Sequence, residues 1–71
     1  MTIRELLRYL EHGQKIIIRE SKFKELFSGT ARQISLSQFG DKEVIYLIVD
    51  NDPYTADYLK IEVKRCTQHL S

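Results

Sequence analysis

The chain has 71 residues, of which 42% are hydrophobic and 30% charged, and its formal net charge is +1. This length supports one small domain, and a net charge near zero argues against both a polybasic nucleic-acid binder and an acidic mimic of DNA. The longest apolar run, residues 44–49, is far shorter than the roughly 20 residues of a membrane span. The single cysteine has no internal disulfide partner, which fits a reducing compartment such as the cytoplasm. No cationic segment followed by an apolar stretch opens the chain, so we expect no export.

The first predicted element is an N-terminal helix of about ten residues. Thr2 and Glu5 have the spacing of a capping box, in which the hydroxyl and the carboxylate each bond the other residue's backbone amide. Gly13 lies where a left-handed residue commonly ends a helix. Since a helix this short is unstable alone in water, its apolar side is expected to pack on a sheet. That side is a stripe at helical spacing, formed by Ile3, Leu6, Leu7 and Leu10.

The rest of the chain predicts four strands and one helical turn. Residues 15–20 and 25–28 are separated by a short polar interruption, which favours an antiparallel hairpin. Residues 35–38 predict a helical turn opened by a second capping box. Residues 43–50 contain the long apolar run and are predicted to form the central strand. Residues 58–64 alternate between apolar and polar, which predicts a strand with one wet face that lies at a sheet edge.

These elements predict an α+β fold, in which an N-terminal helix packs on a mostly antiparallel sheet of about four strands. We expect one domain over residues 1–71, with an ordered core over about residues 2–64 and a C-terminal tail over residues 65–71. Because the backbone groups of an edge strand form a template for another strand, the strand over residues 58–64 also predicts a homodimer. Lys60 and Lys64 oppose such pairing, since natural edges use lysines to prevent it, and a monomer stays open.

The sequence predicts no enzyme, no metal site and no cofactor. Cys66 and His69, together with His12, supply three ligands, whereas a structural zinc site needs four. The acidic loop that begins at Asp50 does not fit a calcium loop, because its twelfth position is Ile61 rather than glutamate. The glycines have no phosphate-loop spacing, and a chain of this size seldom forms a deep apolar pocket.

Binding surfaces are the remaining source of function. Residues 1–35 carry seven Lys/Arg and four Asp/Glu, a net charge of +3, whereas residues 36–71 carry four and six, a net charge of -2. A surface divided in this way steers a charged partner or a second copy of the chain. On the strands, basic and aromatic residues are predicted to share an exposed face, where rings stack on bases and cations bind phosphate. The candidate binding residues are Arg19, Tyr46, Tyr58, Lys60 and Lys64.

The order of apolar segments resembles small accessory proteins of phages and prophages of Firmicutes-type bacteria. The likeness covers about residues 2–64, and it depends on an IRELLRYL opening, a hairpin with IIIRE and ELFSGTA, and the strands VIYLIV and YLKIEV. The resemblance implies a non-enzymatic protein in the cytoplasm of the bacterial host. It also implies binding to a host or viral protein, with inhibition of a host enzyme such as a CRISPR nuclease as one outcome. The positions that carry the likeness are Leu6, Gly29, Val44, Ile61 and Val63.

Two functions follow from these observations, and neither involves a membrane. The first is a phage-type accessory protein that acts by protein–protein interaction. The alternative is a small nucleic-acid-binding protein that uses the exposed sheet face with its Tyr and Lys/Arg side chains. Glu62 lies in the middle of that face and repels phosphate, so a protein partner is favoured. Salt dependence distinguishes the two, because phosphate binding weakens steeply as salt rises.

Overall fold

The computed structural model describes residues 1–21, 23–48 and 53–65. Its four strands form one sheet in the order β2-β1-β4-β3. The two outer strands are antiparallel to their neighbours, and the two inner strands are parallel to each other. The α+β class, with a short helix on a mostly antiparallel four-stranded sheet, is therefore confirmed. The elements are α1 (Ile3–Leu7), β1 (Lys15–Ser21), β2 (Lys24–Thr30), a 3₁₀ turn (Ala31–Gln33), α2 (Leu36–Phe39), β3 (Val44–Ile48), a second 3₁₀ turn (Pro53–Thr55) and β4 (Tyr58–Val63).

The N-terminal helix is present, but it is shorter than predicted. The Thr2 hydroxyl accepts from the Glu5 amide at 3.2 Å, and Glu5 Oε1 accepts from the Thr2 amide at 2.9 Å, so the predicted capping box is confirmed. The Thr2 amide and the Thr2 hydroxyl both donate to Glu5 Oε1, and these two bonds hold the pKa of Glu5 below its usual value. The α-helix ends at Leu7 after five residues, because the next three amides through Leu10 bond carbonyls three residues back. Gly13 lies beyond these turns and has no positive φ, so the predicted left-handed cap is wrong.

The predicted antiparallel hairpin is confirmed as β1 and β2. Three β-branched residues at the centre of β1 are all buried, and they explain why this segment is a strand: Ile16, Ile17 and Ile18. Ile16 and Ile18 belong to the main apolar cluster, whereas Ile17 points to the opposite face of the sheet. The segment is therefore apolar on both faces, as its sequence predicts.

The connection from β2 to β3 contains the predicted helical turn, α2. Ser35 precedes this turn, but its hydroxyl lies 3.1 Å from the Ser37 hydroxyl and caps no amide, so the second capping box is wrong. Ile34 and Phe39 are buried, and they hold the connection to the core. The Phe39 ring packs on the ring of Phe27 from β2, with 5.8 Å between their centroids.

The two C-terminal strands exchange the positions that the sequence predicts for them. β4 lies inside the sheet, between β1 and β3, and β3 is an edge strand. The prediction of a central strand over residues 43–50 is therefore wrong, as is the prediction of an edge strand over residues 58–64. In β4, Ile61 and Val63 are fully buried, whereas most of β3 is exposed. Since β4 is flanked on both sides, the edge on which the predicted homodimer depended is absent from this strand.

The buried apolar side chains of the described residues cluster between the sheet and the helical segments. Leu6 joins this cluster from α1, and Ile34 and Phe39 join it from the connection. Leu7 and Leu10, the other half of the predicted helix stripe, are only partly buried at its margin. The core thus lies on one face of the sheet, and the opposite face is lined by different residues. The fully buried residues are Ile3, Ile16, Ile18, Ile61 and Val63.

Candidate interaction surfaces

The face of the sheet opposite the core carries most of the predicted binding residues. Successive side chains of a strand point to opposite faces, so residues in register with one another on this side form cross-strand rows. We call the residues of these rows the second face. The rows are Arg19–Glu62–Tyr46, Ile17–Lys60–Ile48 and Lys15–Tyr58, each running from β1 through β4 and, in the first two, on to β3.

Glu62 is the centre of a polar network on the second face. The Tyr46 hydroxyl donates to Glu62 Oε2 at 2.9 Å, and Arg19 Nε lies 3.6 Å from Glu62 Oε1. The side chains of Arg19 and Glu62 are both largely buried. The bond to the Glu62 carboxylate raises the pKa of Tyr46, because ionising the phenol would remove the donated hydrogen and place two negative charges together. The network therefore holds three strands together with one carboxylate.

The other predicted binding residues have different surroundings. Lys60 is only 6% exposed, and in register it lies between Ile17 on β1 and Ile48 on β3. Tyr58 is half-buried, with the Lys15 ammonium 5.7 Å from its ring centroid. Lys64 follows the last residue of β4 and is exposed. The structure thus brings Arg19, Tyr46, Tyr58 and Lys60 to one face, as predicted, and places Lys64 at its end.

These surroundings bear on the nucleic-acid alternative. A phosphate-binding face needs cations that are free to reach the ligand, and stacking needs an open ring. Here Arg19 is paired with Glu62, Lys60 is buried, and Tyr46 is tied to Glu62 through its hydroxyl. Glu62 lies at the centre of this row. Its carboxylate occupies the position next to Arg19 that a phosphate would need, and it repels a phosphate. The geometry is that of a cross-strand network within the sheet.

The edge strand β3 carries the only run of consecutive exposed large hydrophobic residues among the residues that the structure describes. Three consecutive side chains are about half exposed: Ile45 at 49%, Tyr46 at 52% and Leu47 at 47%. They lie on both faces, since Tyr46 is in register with Glu62 on the second face and Leu47 with Ile61 on the core side. The sequence contains this signal as the apolar run over residues 44–49, but such a run predicts burial rather than exposure. Exposed apolar residues on an edge strand are typical of an interaction site.

A second region, a shallow cavity of about 310 Å³, lies between α1 and the connection. Its lining combines apolar residues with two basic ones, His12 and Arg32. Neither a carboxylate nor a nucleophilic side chain lines it. The described residues around this cavity therefore do not form a catalytic constellation.

The metal candidates of the sequence lie mostly outside the described residues. Cys66, His69 and Asp50 are not described, and His12 is an exposed residue after α1. Within residues 1–21, 23–48 and 53–65, no group of three or more His, Cys, Asp or Glu is arranged to hold a metal ion.

Comparisons with protein-family models, with curated proteins and with solved structures find no significant match to this chain. In the described ranges, none of the helices has both the length and the apolar character that crossing a membrane requires. The case for a function therefore depends on the surfaces themselves.

Proposed function

We propose that this chain is a non-enzymatic protein-binding module that docks through the outer edge of β3. The observation that carries the proposal is the run of three half-exposed apolar side chains at Ile45, Tyr46 and Leu47 on an edge strand. An edge strand binds an extended segment through backbone hydrogen bonds, and its alternating side chains supply specificity. The partner is thus a protein that offers a strand or an extended peptide.

The opposite edge of the sheet does not offer the same surface. β2 begins with the exposed charged residues Lys24 and Glu25, and its pairing with β1 is interrupted by two register shifts. Charges and bulges are devices by which natural proteins keep an edge strand from pairing. β3 contains no charged residue over its whole length, Val44–Ile48. The two edges therefore differ in chemistry, and β3 is the one suited to docking.

The resemblance in sequence supports a biological setting for this module. Small accessory proteins of phages and prophages act inside an infected bacterium, and a host or viral protein is the partner that we propose. Inhibition of a host enzyme, with a CRISPR nuclease as one example, is the corresponding activity. The chain needs no cofactor for such a role, because binding alone blocks the target.

A capture experiment with matched variants tests the docking edge. The immobilised parent is exposed to a lysate of a Firmicutes-type bacterium beside Leu47→Lys, which places a charge on the edge, and Tyr9→Lys, which removes an exposed aromatic ring that is not part of β3. We expect a protein that the parent and Tyr9→Lys retain, that Leu47→Lys loses, and that binds again as a purified sample. Capture of the same proteins by all three chains would contradict the proposal.

A binding measurement on the parent tests the nucleic-acid alternative. Fluorescence anisotropy with labelled single-stranded DNA and RNA, repeated across salt concentrations, measures phosphate binding directly. We expect no salt-dependent binding from the parent. Binding whose logarithm falls steeply with the logarithm of salt would instead favour the second face as a nucleic-acid surface.

A further inference from the structure

The backbone of β3 shows which residues face outward. The Lys64 amide donates to the Glu43 carbonyl at 2.8 Å, so Lys64 directs its backbone groups toward β3. Backbone groups alternate along a strand, so Glu62 also faces β3, and its register partner Tyr46 faces β4. Leu47, the next residue of β3, then presents its N–H and C=O to the outer side of the sheet.

The N-terminal segment already covers the beginning of this outer side. The Val44 amide donates to the Met1 carbonyl at 2.7 Å, and Thr2 forms an isolated antiparallel bridge with Glu43. Val44 and Leu47 both face outward although three residues apart, because the register shift between Val44 and Tyr46 inserts one extra residue. The open template therefore begins after Val44, with Leu47 as its first outward residue.

From this edge we infer that β3 pairs antiparallel with β3 of a second copy of the chain, about a two-fold axis at Leu47. The inference rests on the proposed docking edge and names one occupant for it. In this pairing the two Leu47 residues are directly opposite and exchange N–H···O=C bonds, while Tyr46 of each copy lies opposite Ile48 of the other. The four strands of each copy then form one continuous eight-stranded sheet across the dimer.

The side chains of β3 in one copy can pack against the side chains of β3 in the other. Since the strand carries no charge, the two-fold places no like charges opposite each other. Tyr46 meets a β-branched aliphatic residue, a cross-strand pair that stabilises sheets, and it does so on the second face. Leu47 meets Leu47 on the core side, where about half of its surface is exposed in one copy. A two-fold contact of this kind uses the same patch twice and closes without free ends.

A second copy also meets a need of the chain. A domain of 71 residues has a small core, and small domains commonly gain stability by association. The pairing removes apolar surface from water on both faces of the strand at once. A protein partner would then compete with the second copy for one and the same edge.

Crosslinking at the two-fold tests the geometry. In an antiparallel hydrogen-bonded pair the opposed Cα atoms are about 5.5 Å apart, which lies within the range that a disulfide spans. The Leu47→Cys chain, with Cys66→Ser to remove the native cysteine, should form a disulfide-linked dimer under mild oxidation at low micromolar concentration. The Tyr9→Cys chain with Cys66→Ser is the matched control, and it should stay unlinked. Equal crosslinking of the two chains would overturn the pairing.

Sedimentation velocity supplies an independent measurement that needs no new cysteine. The parent and Tyr9→Lys should sediment at twice the 8.4 kDa chain mass at high micromolar concentration, and Leu47→Lys should remain a monomer there. Circular dichroism establishes that each variant is folded. A monomeric parent at every concentration would overturn the dimer, and so would a dimer that survives Leu47→Lys.

The two proposals fail in different ways. If the parent is a monomer but still captures a protein that Leu47→Lys loses, the docking edge stands and the second copy is rejected. If the dimer forms through Leu47 and no other protein is captured, the second copy stands as the occupant and the host or viral partner is rejected. If neither dimer nor capture responds to Leu47→Lys, both proposals are rejected.

Discussion

The Tyr46 hydroxyl donates a hydrogen bond to Glu62 Oε2 at 2.9 Å, across the pairing between the edge strand β3 and the inner strand β4. The same carboxylate lies 3.6 Å from Arg19 Nε on β1. One residue thus connects three strands, and its two oxygens are used for different neighbours. The sequence predicts a face with free cations, but in the fold Arg19 and Tyr46 of this face are engaged with Glu62.

This network predicts opposite shifts for two charge-removing variants. The hydrogen bond to Glu62 raises the pKa of Tyr46 above its ordinary 10.0, and the nearby Arg19 guanidinium opposes that rise. Glu62→Gln should therefore lower the pKa of Tyr46 toward its ordinary value, whereas Arg19→Gln should raise it further. NMR titration of the Tyr46 ring protons in the three chains measures both directions. An unchanged or higher pKa of Tyr46 in Glu62→Gln would show that Glu62 does not control this phenol, and an unchanged or lower pKa in Arg19→Gln would contradict the effect of the guanidinium.

The sign of the effect on stability follows from the raised pKa. A group whose pKa is higher in the folded state stabilises the fold below its unfolded pKa, and this contribution is lost as pH rises through the folded value. The parent should thus lose stability above pH 10.0 as Tyr46 ionises, and Glu62→Gln should lose less over the same interval. Urea denaturation at a series of alkaline pH values measures the difference.

Two adjacent leucines of α1 give a second prediction. Leu6 is buried in the core, whereas Leu7 is only partly buried at its margin. Leu6→Ala should cost about 2–5 kcal/mol, the range for emptying a core leucine site, and Leu7→Ala should cost less than about 2 kcal/mol. A domain this small has a total stability of roughly 3–5 kcal/mol, so Leu6→Ala should be largely unfolded at room temperature. Urea denaturation followed by circular dichroism compares the two.

The outcome for these neighbours also tests the short helix. A regular helix of about ten residues would carry Leu6 and Leu7 on one buried stripe, and both variants would then be equally damaging. Equal losses, or a larger loss for Leu7→Ala, would contradict the placement of α1 on the sheet.

Local patterns predicted the first half of the fold well. The Thr2–Glu5 capping box is a short-range device, and the β-branched run at Ile16–Ile18 favours a strand in any context. Both are confirmed because they depend on neighbours along the chain. The length of α1 was not predictable in the same way, since tighter turns replace the helix after Leu7 without a proline or a left-handed glycine to mark the change.

The positions of β3 and β4 depend on long-range pairing, which the sequence pattern does not specify. The apolar run of β3 predicts a buried central strand, yet this strand lies at an edge, with Tyr46 and Leu47 half exposed. The alternation in β4 predicts a solvent-exposed face at a sheet edge, yet Lys60 and Glu62 are flanked by cross-strand neighbours on the second face. Periodicity reports which side chains share a face, and it does not report what lies beside the strand.

The periodicity of the strands predicts which of the candidate binding residues share the second face. Tyr58, Lys60 and Glu62 share a face by alternation, and Tyr46 and Arg19 join them by register, as predicted. The pairing of Arg19 with Glu62 and the burial of Lys60 depend on side-chain geometry, which the alternation of residues does not predict. The sequence does not predict the proposed docking edge for the same reason that it does not predict the strand order, because only topology makes β3 an edge.

Alanine should have different effects on stability at Gly40, where a Cβ meets close neighbours, and at Gly13, where it meets none. Gly40 is buried with φ -58°, and a Cβ there would lie 2.5 Å from the Leu36 carbonyl oxygen and 2.8 Å from Arg4 Nη2. Because the first of these atoms belongs to the backbone of α2, Gly40→Ala should destabilise the fold by about 1–3 kcal/mol. Gly13 has no atom within 4 Å of such a Cβ and no positive φ, so Gly13→Ala should be neutral or stabilise by up to about 1 kcal/mol. Both changes restrict the unfolded chain equally. The difference between the two urea midpoints therefore reports the contact in the folded state alone.

Equal midpoints would show that the Leu36 carbonyl of α2 does not approach Gly40 this closely.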